Sequence, residues 1–202
     1  MIKAAIFDLG GVYFTNGTKL AIKKISTKYK LEVEEVENML KPGSKFGKLF
    51  RQGKITANEF FDKLRDYFKI RASNKELFDI WFNSYAPIKG TISIVKRLGR
   101  KGVKVYFLSD NVKERADYLQ KRYKFTHNFI SGIFSHAVGI TKFDGTKIFK
   151  MALKQTGDKA ENIVFIDDNE NHTKTAKGLG MHVILFKNPK QLNKELNKML
   201  RK

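Results

Sequence analysis

Short apolar runs and longer helical patterns alternate along the chain. Ile2–Phe7 is an apolar run closed by Asp8, the pattern of a buried strand. From 14 to 86 the texture is helical. Ala21, Ile25 and Tyr29 recur at every fourth position. Thr56 and Glu59, three apart, make a capping box, and Phe60, Phe61, Leu64, Tyr67 and Phe68 behind it predict one apolar helix face. Leu77, Ile80, Trp81 and Tyr85 predict a further helix face, and Pro87 and Gly90 punctuate its end. Strand and helix then take turns. Ile92, Val95 and Leu98 lie on a helix, Lys101-Gly102 is a turn and Val103–Leu108 a strand. A charged helix is predicted over 112–123, a short strand over 132–138 and a helix over 146–156. The spacing predicts a strand over 163–166, a helix over 173–179 and a strand over 183–186. The tail, Lys187–Lys202, carries Leu192, Leu196, Met199 and Leu200 at the spacing of an amphipathic helix.

This alternation predicts an α/β fold, a three-layer Rossmann-like parallel sheet covered by helices on both faces. The helical stretch 14–86 interrupts it after the first strand and is read as an inserted α-helical cap. The core is then discontinuous, 1–13 and 87–202. The pattern shows no internal repeat and no low-complexity linker, and it does not encode an oligomeric state.

A chain of 202 residues with 42% hydrophobic and 12% aromatic residues can build a packed core. The absence of cysteine excludes disulfides, thiolate catalysis and Cys-based zinc sites. No apolar run approaches the ~18 residues that span a bilayer. The amino-terminal residues read as a strand and not as a signal peptide, so the expected compartment is the cytoplasm, with no membrane partner. A formal charge of +20 raises the question of nucleic acid. Basic residues, however, are spread at similar density over 14–86 and over the rest, and those of the tail alternate with apolar positions. The charge is therefore read as a solvated lysine-rich surface that attracts small anions, phosphates included, and a nucleic-acid partner is not favoured.

In open parallel sheets, ligands bind beyond the carboxyl ends of the strands. Three of the predicted strands end in short polar or acidic side chains: Asp8-Leu9-Gly10-Gly11, Ser109-Asp110-Asn111 and Asp167-Asp168-Asn169. An Asp at a strand end is usually a turn or cap residue, and a Ser is usually an N-cap. The Asp167-Asp168 pair is less ordinary, because adjacent like charges repel and a hard divalent cation relieves the cost. Gly10 and Gly11 allow a tight turn beside such a ligand.

These segments resemble, over the whole length, the haloacid dehalogenase-like hydrolase superfamily, in the branch with a small helical cap after the first strand. Asp8-Leu9-Gly10-Gly11-Val12 is similar to its first motif, and Leu108-Ser109-Asp110-Asn111 to its second. Lys142-Phe143-Asp144-Gly145, followed by Ile148-Phe149, is similar to the third. Val164–Asn169, with Ala176 and Leu179-Gly180-Met181, is similar to the fourth. The resemblance implies a Mg²⁺-dependent phosphomonoester hydrolase acting on a small phosphorylated metabolite, a sugar phosphate or nucleotide. Asp8 is the implied nucleophile, forming an aspartyl-phosphate. Mg²⁺ is held by Asp8, the Gly10 carbonyl and Asp168, with Asp167 beside or behind. Ser109 and a neighbouring backbone N–H, with Asp110 and Asn111 alongside, bind the phosphoryl group, and Lys142 supplies positive charge.

The sequence departs from the pattern in three places. Gly10 stands where most phosphatases of the family carry a second Asp as general acid/base. Asp110, Asn111, Asn169 and residues of the insertion are the candidates to assist in its place. Phe143 and Gly145 replace the prolines of the third motif, and His172, read as a structural polar residue, stands where Asn is common. Tyr13, Phe14, Phe46, Phe50 and Arg51 are candidates to face the substrate or to fill the core of the insertion. Two rival functions remain. One is a catalytically weak homologue that binds anions or nucleic acid; the other is a 2-haloacid dehalogenase, which needs no metal and so leaves Asp167-Asp168 unexplained.

Overall fold

The computed structural model describes residues 1–200, so Arg201 and Lys202 of the predicted tail helix lie outside the described residues. Five strands form one parallel sheet: β1 (Ala4–Phe7), β2 (Lys104–Ser109), β3 (Ser131–Phe134), β4 (Ile163–Asp167) and β5 (His182–Leu185), in the order β3-β2-β1-β4-β5. The strands alternate sides with period two. Ala5, Phe7, Val164 and Ile166 point into one apolar cluster, whereas Ala4, Ile6, Ile163 and Phe165 point into another.

Both clusters are closed by helices. After β1 come α1 (Gly17–Tyr29), α2 (Val33–Leu40), α3 (Lys45–Arg51), α4 (Ala57–Phe68) and α5 (Asn74–Phe82). Then follow α6 (Lys89–Arg100), α7 (Lys113–Tyr123), the single turn α8 (Ser135–Val138), α9 (Lys147–Thr156), α10 (Glu170–Gly178) and α11 (Pro189–Leu200). Helices α6 and α11 bring Ile94, Val95, Leu98, Leu192 and Leu196 onto the first sheet face. Helices α9 and α10 bring Ile148, Phe149, Ala152 and Ala176 onto the second. Strands covered on both faces read as continuous apolar runs, as β1 and β4 do.

The helices α1 to α5 share the first cluster with the sheet through Phe50, Phe60, Phe61 and Trp81. The segments that lead into and out of them run side by side. Thr15 N–H donates to Ala86 O at 2.8 Å, Ala86 N–H to Thr15 Oγ1 at 2.9 Å, and Ile88 N–H to Tyr13 O at 2.9 Å. A second tie lies further along. Lys48 of α3 pairs with Asp144 at 2.5 Å, and Gln52 Nε2 donates to Asp144 Oδ2 at 2.9 Å.

Three local expectations are corrected. Tyr67 is exposed, so the apolar face of α4 consists of Phe60, Phe61 and Leu64, with Phe68 half-buried. Tyr85 lies beyond the end of α5, in the returning segment. The predicted strand 132–138 is strand only to Phe134; Ser135 turns into α8, where its hydroxyl donates to Arg51 O at 2.7 Å and accepts from Asn111 N–H at 3.0 Å.

Candidate active site

The carboxyl ends of β1, β2 and β4 meet at one cavity of about 390 Å³. Asp8, Ser109, Asp110, Asn111, Lys142, Asp167 and Asp168 all line it, and so does Gly10. Carboxylate oxygens of Asp8, Asp167 and Asp168 lie within 4.8 Å of one another. Asp8 is 6% exposed and Asp167 fully buried, whereas Asp168 reaches solvent.

Lys142 comes to this cluster from the loop after α8. Its Nζ donates to Asp8 Oδ1 at 2.9 Å and to Asp167 Oδ2 at 2.6 Å. Asp110 positions that loop: its two carboxylate oxygens accept the Lys142 backbone N–H at 2.9 and 3.2 Å. Asp144, two residues on, folds back to accept Thr141 N–H and Oγ1–H, both at 2.8 Å. The loop thus depends on acceptors and not on the prolines it lacks.

The electrostatics follow from crowding. Burial, and then the charges of Asp167 and Asp168, push the Asp8 carboxyl well above its ordinary range, against the pull of Lys142. Burial pushes Asp167 up too, but Lys142 and His172 outweigh it and hold that carboxyl below its ordinary range. Asp168 is raised by desolvation from the surrounding walls and then by Asp167. Burial opposes the charge on Lys142, yet Asp167, Asp8 and Asp110 together raise its affinity for a proton. Asp167 has little acceptor capacity left, because Asn169 N–H donates to Oδ1 at 2.8 Å and His172 Nδ1 lies 3.2 Å from both oxygens.

The turn after β1 is tight. Leu9 O accepts from both Tyr13 N–H and Phe14 N–H, at 2.9 and 2.7 Å, and Gly11 adopts φ +91°. A Cβ on Gly11 would stand 2.1 Å from Asp168 Oδ2. A Cβ on Gly10 would meet the Tyr85 ring at 3.7 Å. Asn16, the N-cap of α1, points Nδ2 at Asp168 Oδ2 from 3.5 Å.

Of the candidates in the insertion, Phe14 and Arg51 line the cavity. Tyr13 and Phe50 are buried in the apolar core, against which Phe46 packs. Asn111 turns its Oδ1 to Arg115 Nε at 2.6 Å and to Val112 N–H at 2.9 Å. Sequence reasoning missed Arg115 and Tyr85, which line the cavity together. Arg115 did carry a signal: a cation in the first turn of a helix opposes the macrodipole. Tyr85 carried none, since its spacing from Trp81 mimics a helix.

A haloacid dehalogenase-like hydrolase family model matches residues 2–180. The chain is similar to a sesquiterpene phosphatase of Aspergillus oryzae, at 24% identity over 89% of this chain and 87% of that protein. In structure it is similar to a predicted hydrolase of the same family from Porphyromonas gingivalis, with TM-score 0.80 and 22% identity over 100% and 99% of the two chains. It is also similar to a family enzyme of Bacteroides thetaiotaomicron solved with magnesium and inorganic phosphate, with TM-score 0.74 and 23% identity over 93% and 96%. The five-stranded parallel sheet, the carboxylates at its rim and the match over most of the chain agree: the chain belongs to the haloacid dehalogenase-like hydrolase family.

Proposed function

We propose that the chain is a Mg²⁺-dependent phosphomonoester hydrolase that acts on a small phosphorylated metabolite through an aspartyl-phosphate. One observation carries this reading: three carboxylates, those of Asp8, Asp167 and Asp168, share a space with a single ammonium, that of Lys142. The upward push on Asp8 and Asp168 is the cost of that imbalance. A hard divalent cation relieves it, and an all-oxygen donor set suits Mg²⁺. Asp8, Asp168 and the Gly10 carbonyl would hold the ion, with Asp167 behind them, its oxygens taken by Lys142, His172 and Asn169. When bound, Mg²⁺ neutralises charge on the phosphoryl oxygens. The phosphate-bearing structure from Bacteroides thetaiotaomicron supports the same reading, as does the name of the Aspergillus oryzae phosphatase.

The chain's own groups divide the work. An Asp8 carboxylate oxygen attacks phosphorus, and the ester oxygen leaves with its electron pair. Water then attacks the phosphoaspartate, releasing phosphate and freeing Asp8. Lys142 aims Asp8 and opposes the upward push on its carboxyl, which a bound cation would relieve, and it stays protonated because two carboxylates share it. The Ser109 hydroxyl donates to a phosphoryl oxygen. Asp110 acts at one remove, by fixing the Lys142 backbone. With Gly10 in the place of an acid, no side chain at that position protonates the leaving group, so water, the substrate or another side chain of the cavity supplies the proton. Such a loss costs about 10²–10⁴ in rate for poor leaving groups.

The test is hydrolysis of an activated aryl phosphate, whose leaving group needs little protonation. Turnover is expected only with Mg²⁺, and Asp8→Asn is expected to lower it by at least ~10³. Folded wild-type protein that turns over no aryl phosphate in Mg²⁺ would overturn the reading.

A further inference from the structure

Two arginines lie buried in the cavity with no carboxylate of their own. Arg51 at the end of α3 is 1% exposed and Arg115 in the first turn of α7 is 2% exposed. Among the described residues neither forms a salt bridge. Arg51 Nη1 donates to Gly47 O at 2.9 Å and Nη2 to Thr18 Oγ1 at 3.4 Å, while its Nε is buried without a partner. Arg115 Nε donates to Asn111 Oδ1 at 2.6 Å, Nη1 to Tyr85 OH at 2.8 Å and Nη2 to Asp110 O at 3.4 Å. Every one of these acceptors is neutral. The Asp110 carboxylate accepts from the Lys142 amide, and its charge reaches both arginines, as that of Asp8 reaches Arg115, without a hydrogen bond to either.

Burying two cations side by side with no carboxylate in hydrogen-bond contact is costly. Trp81 returns part of that cost, with the guanidiniums 5.6 and 5.4 Å from its ring centroid. Burial, and then the charge of Arg115, push Arg51 down to about 9, so it is still charged at neutral pH. A purely structural role does not need two permanent charges here, since apolar side chains of similar length fill the same volume. The two arginines line the same cavity as Asp8 and Lys142. Lys142 already serves two carboxylates, whereas the arginine forks serve none. Paired N–H groups of a guanidinium match the oxygens of phosphate or carboxylate.

The geometry points to a second anion subsite, in which Arg51 and Arg115 bind an oxyanionic group of the substrate other than the phosphoryl group at Asp8. The substrate class is then an organic phosphate that carries two anionic groups. This rests on the phosphatase reading above and narrows it.

Two readouts test it. The first is turnover of three doubly anionic probes, each against a singly anionic phosphate with a comparable leaving group: a diphosphate monoester against an aryl phosphate, a sugar bisphosphate against the sugar monophosphate, and a phosphocarboxylate against the matching alkyl phosphate. In wild type at least one probe is expected to exceed its counterpart at least tenfold in kcat/KM, and which one leads identifies the second group. Arg51→Met and Arg115→Met are expected to shrink that ratio at least tenfold. The second is thermal stabilisation by methylenediphosphonate over that by methylphosphonate, expected in wild type and lost in both variants. Should a Met variant fail to fold, Arg51→Lys keeps the charge, loses the fork and is expected to shrink the ratio as well. No preference for any doubly anionic probe, or a parallel fall for all substrates in the variants, would overturn the subsite. Wild type inactive on aryl phosphate would sink the phosphatase reading instead, and the methylenediphosphonate shift would still judge the arginines separately.

Discussion

Gly11 shows how little room the rim leaves. Its φ of +91° disfavours any L side chain, and the missing Cβ is where Asp168 Oδ2 comes closest. Gly11→Ala is therefore expected to destabilise the fold by more than ~1 kcal/mol in urea denaturation, and to weaken Mg²⁺ dependence by displacing Asp168. At this scale the acids were legible, because the fold rule for parallel sheets points to strand ends and Asp8, Asp167 and Asp168 stand there. The roles of their neighbours were less so. Asp110 and Asn111 sit in the motif, yet their side chains hold the Lys142 backbone and Arg115, and only the packed structure shows which way each turns. Gly10 was legible as a departure, and on the proposed mechanism its expected consequence is a rate that depends steeply on the leaving group.

Among the elements, the loop carrying Lys142 is held from both sides. Asp144 accepts from Thr141 within the loop and from Lys48 and Gln52 of the helical insertion. Burial raises the Asp144 carboxyl, but Lys48, Thr141 and Gln52 outweigh it and hold it below the ordinary carboxylate range. A depressed folded-state pKa contributes stability above the unfolded value, near 4, and loses it as pH falls through the folded one. Asp144→Asn is thus expected to cost about 1 kcal/mol at pH 7, a figure kept small by solvent screening. The gap to wild type should close as urea melts are repeated below pH 4. A gap that stays constant with pH would mean that the Asp144 charge contributes nothing. Most elements could be read from periodicity, and the capping box of α4 is formed as Thr56 and Glu59 foretold. The failures share a cause. Tyr67 and Tyr85 continued a helical spacing, but tertiary contacts decided that one faces solvent and the other the cavity. Residues 135–138 follow directly on the apolar strand, but they begin with the polar Ser135 and His136, and the Ser135 hydroxyl bonds to Arg51 O and Asn111 favour a turn.

For the whole molecule, the sum of charges is the dominant long-range fact. A net +20 around a cavity proposed to take anions should speed encounter, and salt should screen it within a Debye length of ~10 Å at 0.1 M. kcat/KM for an anionic substrate is expected to fall several-fold between 20 mM and 300 mM salt while kcat holds; equal loss in both would place the effect in the site. No helix among the described residues is long and apolar enough to cross a membrane. The α/β alternation and the interruption after β1 were legible from texture alone, because a parallel sheet buries both faces and its strands stay apolar throughout. Not legible was how the insertion shares one apolar cluster with the sheet, since that depends on which rings meet.

Lys142, wedged between Asp8 and Asp167, differs from every solvated lysine in one further respect. Acylating reagents attack only the neutral amine, and this one is both enclosed and held in its protonated form. Exhaustive acetylation would therefore strip the coat of lysine charge while sparing this ammonium. A protein so bleached of its field, with its chemistry left in place, is expected to keep Mg²⁺-dependent turnover at saturating substrate, at a raised KM, and mass spectrometry of the peptide containing Lys142 should find it unmodified.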